Sequence, residues 1–196
     1  SVQLAGCDPT TMAEAAKLVV DRGAAVVDIN FGCPVKKVAL GQSAGSALMR
    51  DEIAAARILE AMVKAVSVPV TLKMRMGWDH NSLNAPKLAR IAQECGIRLV
   101  TIHGRTRQQF YTGQADWAFI RNVKEAVQIP VIANGDILCV EDAEEALRQS
   151  GADGVMIGRG AYGRPWLLGQ VAAYLMHGTR IPDPSLAEQK RILLEH

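Results

Sequence analysis

Short apolar runs alternate with longer segments of helical period along the whole chain, and few folds accommodate that order. The runs cover residues 2–5, 25–30, 69–74, 99–103, 130–134 and 154–158. They are β-branched and nearly continuous, which suits strands buried on both faces. Between them the spacing predicts helices over 11–20 (behind a capping-type threonine), 51–66, 86–95, 117–127 (behind Asp116) and 140–150 (ahead of Gly151). Strands and helices that alternate in this way imply a parallel sheet with right-handed crossovers.

That pattern fits an open doubly wound sheet or a barrel, and the polar residues separate the two. Reactive or ligand-binding types close almost every strand: Gln3, Asn30 with Cys33, Lys73 with Arg75, His103 with Arg105, Asn134 with Asp136, and Arg159. All strand ends of a barrel converge on one mouth, whereas an open sheet gathers ligands only at its switch point. The reading is therefore an α/β chain forming a (β/α)8 TIM barrel, with about six of the eight βα units present. Both ends look cut, so further units are expected upstream and a helical segment downstream. Residues 1–180 are assigned to the barrel, and 181–196 to a linker and a helix over 186–194.

Composition narrows the setting. The chain has 196 residues, 49% of them hydrophobic, which is ample for one core. No apolar run approaches the roughly 20 residues needed to span a bilayer, and no secretory pattern opens the chain, so a cytoplasmic location is expected. A net charge of +2 neither demands nor excludes a nucleic-acid partner. Cys7, Cys33, Cys95 and Cys139 form no C-x-x-C pair, so four free thiols and no metal site are expected.

Asn134-Gly135-Asp136 and Gly158-Arg159-Gly160 each follow an apolar strand. Glycines let backbone N–H groups approach a phosphate, and Arg159 adds charge-assisted bonds. The plainer alternative is a pair of tight βα turns. Cys33, between Gly32 and Pro34, would be held stiffly at the mouth, whereas the other cysteines read as structural. Lys73 and Arg75 share one face by period two and can stabilise an anion there; the competing role is an ion pair with Asp28 or Asp136. His103, beside Gly104 and Arg105, suits a ligand contact, while His80, His177 and His196 read as ordinary structural or surface groups. The pairs Lys36-Lys37 and Arg105 with Arg107 are either solvated charge or contacts to a large polyanion.

The stretches VQLAGCDP, DINFGCPVKKV, AGSALMR, VPVTLKMRMGW, LVTIHGRTR, IPVIANGDI, GADGVMIGRGAYGRPW and LAEQKRILLEH, in this order, resemble the tRNA-dihydrouridine synthase family, most closely its bacterial B-type branch. The resemblance implies FMN as cofactor, NADPH as reductant, tRNA as partner and a monomeric full-length protein. Carried over by position, it implies that Gln3, Lys73 and His103 contact the flavin ring or ribityl chain. Asn134, Gly135, Asp136, Gly158 and Arg159 would hold its lower part and phosphate. Asn30 and Arg75 would face the uracil, and Lys36, Lys37 and Arg105 would meet RNA. Cys33 would give a proton to C5 after hydride reaches C6. A thiol of ordinary acidity is mostly protonated at neutral pH, so it suits that task. The target base must leave its stack to reach the pocket. The helix over 186–194 would open a C-terminal helical domain that grips tRNA. Two rivals stay open: an FMN-dependent dehydrogenase of a free pyrimidine, and a sugar-phosphate barrel without flavin.

Overall fold

The structure is a computed structural model and describes residues 1–41 and 43–195; His196 lies outside them. Six strands, β1 (Val2–Leu4), β2 (Val27–Phe31), β3 (Val70–Arg75), β4 (Val100–His103), β5 (Val131–Asn134) and β6 (Gly154–Met156), form one sheet in sequence order, every neighbouring pair parallel. Helices α1 (Pro9–Asp21), α2 (Glu52–Ala65), α3 (Ala85–Glu94), α4 (Trp117–Ala126), α5 (Val140–Ser150) and α6 (Leu167–His177) separate or follow the strands, and each packs on the next. A strand order that never reverses, with right-handed crossovers, puts all helices on one face. This is the arc of a (β/α) barrel, with the other face turned to the barrel axis.

The core lies between strands and helices. Val27, Ile29, Phe31, Leu72, Met74, Val100, Ile102, Val131 and Ala133 are fully buried there with Ala55, Ile58, Leu59, Met62, Leu88, Ile120 and Val123. The alternate strand positions are polar and less buried: Asp28, Asn30, Thr71 and Lys73. The strands are thus not apolar on both faces, as expected from their composition. Only the helix-facing side is dry; the axial side carries the chemistry.

Most elements fall where the periodicity puts them. α1 starts two residues before its expected first turn, because Asp8 rather than a threonine caps it, accepting from Thr11 N–H at 2.7 Å, with Pro9 in the first turn. Four elements have no counterpart in the expectations from sequence: a π-helical turn over Lys37–Gly41, 3-10 helices over Gly45–Arg50 and Arg159–Ala161, and α6. A last helix, α7 (Leu186–Glu195), matches the expected 186–194 and buries none of its side chains. No described helix is long and apolar enough to cross a membrane.

Candidate active site

Strand register lines up the polar ends. Asn30 pairs with Lys73, Arg75 with His103, and His103 with Asn134. Parallel neighbours in register point the same way, so these side chains form one row across the mouth. Beside it lies an open cleft of about 230 Å³ lined by Lys73, His103, Asn134, Gly135, Asp136, Gly158 and Arg159. Seven of the eight residues expected to hold the cofactor therefore meet in one place. Tyr111, Ile137, Leu138, Met156, Ile157 and Tyr162 add apolar and aromatic wall.

Asp136 organises this half. Arg105 grips it in a two-point contact, Nη1 to Oδ1 at 2.9 Å and Nη2 to Oδ2 at 2.6 Å. Ala115 N–H donates to Oδ2 at 2.8 Å, and Arg159 Nη2 to Oδ1 at 3.1 Å. Burial pushes the Asp136 carboxyl up, but the Arg105 and Ala115 hydrogen bonds and the two guanidinium charges together hold it below the ordinary carboxylate value. Its φ of 55° is left-handed, a strained setting for a residue with a side chain, and these four bonds fix it. Gly135 beside it needs to be glycine: its φ is 114°, and a Cβ would stand 2.8 Å from both Ala115 Cβ and the His103 ring. At Gly158 a Cβ would meet nothing, so the backbone lies bare along the cleft.

Arg105 is not a surface cation. It is 2% exposed, and its remaining donors go to Thr112 O, Gly113 O and His103 Nε2. All its N–H directions are used, so the expected contact with RNA is corrected to an internal clamp. Since arginine only donates, His103 Nε2 accepts, which leaves the ring proton on Nδ1. Burial, and then the positive charges of Arg75, Lys73 and Arg105, push His103 down to about 3, so the ring is neutral. Lys73 is lowered to about 8 by burial and by Arg75, against the pull of Asp28. It remains mostly charged at neutral pH. Among the described residues Lys73 and Arg75 make no ion pair with Asp28 or Asp136, so the competing salt-bridge role is absent.

The other half of the mouth is built from amides. Asp28 accepts from Thr71 Oγ1 at 2.5 Å and from Gln3 Nε2 at 2.6 Å. The Gln3 amide is thereby oriented with Oε1 toward Asn30 Nδ2, at 2.8 Å. Asn30 Oδ1 then accepts from the N–H groups of Gly32 and Cys33, at 3.0 and 2.9 Å. Each group has one acceptable orientation, so Asp28 sets the direction of a relay that ends on the Cys33 backbone. Ser46 braces the far side, giving N–H and Oγ–H to Cys33 O at 3.1 and 2.8 Å. Gly45 permits that approach, since a Cβ there would stand 3.0 Å from Cys33 Cβ. Arg75 is buried and bonds Gly32 O, Thr106 O and Phe110 O at 2.8 to 2.9 Å. Burial lowers it to about 10, which keeps it charged. Nε and Nη1 are thus spent on loops, leaving Nη2 for a ligand. Gln3 does not line the cleft, and in this relay its amide is committed to Asp28 and Asn30. Lys36 and Lys37 are exposed beyond Cys33.

Sequence reasoning missed Tyr111. Its ring lies under Arg159 at 4.9 Å and Arg75 at 5.7 Å, and edge-on to Phe110 at 4.8 Å. An aromatic pair in a polar loop of an aromatic-poor chain was the available signal.

The family model for dihydrouridine synthase (Dus) matches residues 1–196. The chain belongs to the dihydrouridine synthase family. Among similar proteins is a probable tRNA-dihydrouridine synthase of Rickettsia bellii (strain RML369-C), 64% identical over 195 residues, covering all of this chain and 60% of the relative. Another is tRNA-dihydrouridine synthase B of Xanthomonas campestris pv. campestris, 58% identical, covering all of this chain and 59% of that protein. The chain thus spans about three-fifths of the length of the curated relatives it matches. Solved structures of similar fold include a dipeptide epimerase from Enterococcus faecalis V583 (TM-score 0.57, 18% identity, 80% of this chain and 37% of that one). A putative phosphonomutase from Burkholderia cenocepacia J2315 is alike too (TM-score 0.58, 18% identity, 80% and 68%). At such identity they speak to the fold of this Dus chain alone.

Proposed function

We propose that this chain is the catalytic barrel of a tRNA-dihydrouridine synthase, reducing the C5=C6 bond of particular uridines in tRNA with FMN as cofactor and NADPH as reductant. The observation that carries the reading is the single cleft joining Lys73, His103, Asn134, Gly135, Asp136, Gly158 and Arg159, one strand away from a cysteine whose backbone is held by directed hydrogen bonds. Membership in the family and the names of the relatives agree with it.

The chemistry of the cleft lining supports flavin mononucleotide as its occupant. Bare backbone at Gly158, the exposed Arg159 guanidinium and the excess of cations suit a phosphate. Flat apolar wall and the Lys73 ammonium suit a ring that gains negative charge. When bound and reduced, the flavin supplies hydride to C6 of the uracil. Cys33 then gives its thiol proton to C5, which completes the saturated ring, and the Asn30 and Ser46 bonds hold the backbone that carries the thiol. His103, neutral and bonded through Nε2, orients a ligand through Nδ1–H and moves no proton. Arg75 Nη2 is the donor available to a uracil carbonyl. Lys36 and Lys37 contact RNA outside, in a cytoplasmic protein that acts as a monomer, with residues 181–196 leading into a tRNA-gripping helical domain.

The test is to incubate the intact protein with NADPH and unmodified tRNA and to measure dihydrouridine by mass spectrometry. Gain of two hydrogens at defined uridines is expected. Turnover of a free pyrimidine with no change in tRNA would overturn the reading.

A further inference from the structure

A second hollow, of about 410 Å³, shares no lining residue with the cleft; Met49, Arg50, Trp78, Asp79, Ser82 and Asn84 line it. The Arg50 and Arg107 guanidinium carbons stand 4.7 and 4.6 Å from the Trp78 ring centroid. Among the described residues neither cation has a carboxylate within ion-pair distance, Asp79 included, whose carboxylate accepts from Asn81 N–H. A guanidinium stacked on indole keeps its edge N–H groups free and pre-aimed, which is the geometry that receives a phosphate.

Two buried polar atoms here lack partners: Arg107 Nε and Asn84 Oδ1. Asn84 cannot be rotated to relieve this, since its Nδ2 already donates to Met49 O at 2.8 Å and Glu52 Oε1 at 3.1 Å. Both atoms are closed to solvent, so they belong to the wall behind the hollow and do not reach a ligand in it. The hollow is also tied to the thiol. The 3-10 helix that grips Cys33 through Ser46 ends on Arg50, four residues on, or about 8 Å at ~2.0 Å per residue.

We propose that the Arg50–Trp78–Arg107 stack anchors the sugar–phosphate backbone of the RNA strand beside the target uridine. The proposal rests on the tRNA reading above. Phosphate contacts of this type set register without reading sequence. Arg107 takes the outward role that Arg105, its neighbour but one, does not have.

The test uses the intact flavin-loaded protein and unmodified tRNA, with KM, kcat and the salt dependence of binding compared for wild type and the Arg50→Ala/Arg107→Ala double variant. KM should rise on the order of tenfold, more than kcat falls, and the salt slope should drop by about two. Arg50→Glu, at an exposed position, should raise KM even if the double variant folds poorly, and Arg→Lys at both positions should recover part of the loss. KM and salt slope within about twofold of wild type for the double variant and for Arg50→Glu would overturn the anchor while leaving tRNA reduction standing. A wild-type protein that does not reduce tRNA would instead remove the reading beneath it.

Discussion

The two halves of the mouth are fixed by different physics. On the side of β4 to β6, charge does the fixing: Asp136 lies between Arg105 and Arg159, and the cleft carries more cations than anions. On the side of β1 and β2, amides do it, through the chain from Asp28 to Gln3 to Asn30 to the Cys33 N–H. A fixed positive surface suits a tightly held anion. A directed chain of hydrogen bonds suits a reactive residue that must be positioned rather than paired with a charge. The halves are therefore separable, and substitutions should divide them.

Cys33→Ala should cut tRNA reduction by roughly 10²–10⁴-fold while flavin stays bound; near-normal turnover would remove Cys33 as the acid. Asp136→Ala should leave the buried Arg105 cation without its carboxylate and cost about 3 kcal/mol of stability, read by chemical denaturation, with flavin lost as well. Arg159→Ala should weaken FMN affinity by about tenfold, as loss of one charged hydrogen-bonding group does. Unchanged affinity would sink the phosphate assignment.

Smaller effects sharpen the contrast. Asp28→Asn should retain flavin yet lower kcat by about three- to tenfold, since an amide can donate as well as accept and no longer dictates the Gln3 orientation. A loss of flavin without loss of kcat would show that the halves are not separable. Last, the cleft should bind its anion less well as pH rises through about 8, where free Lys73 loses its proton. Anion binding favours the charged lysine, so affinity is full below that pH and falls above it. Titration of FMN affinity against pH should show this step in wild type and not in Lys73→Met.

The division also explains what the sequence could reveal. Strand-and-helix alternation and glycine-flanked strand ends are local signals, so the sheet, all the α-helices except α6 and most of the cleft were legible. Arg105 was misjudged because its partner Asp136 lies 31 residues away, and only the register of β4 against β5 brings them together. The amide relay was invisible for the same reason: Gln3 and Asn30 are ordinary strand residues until β1 pairs with β2. Helix α6 is apolar on most sides (Leu167, Leu168, Val171, Leu175 and Met176), so its periodicity carried little signal. The 3-10 helix over Gly45–Arg50 braces Cys33 through Ser46, a contact across 13 residues.

The proposed function depends first on whether the positively charged cleft beside Cys33 holds FMN. Its most direct test is the visible absorption spectrum of the intact protein after gel filtration, before and after adding FMN. Flavin bands that co-elute with the protein are expected. A colourless protein that takes up no FMN would contradict it.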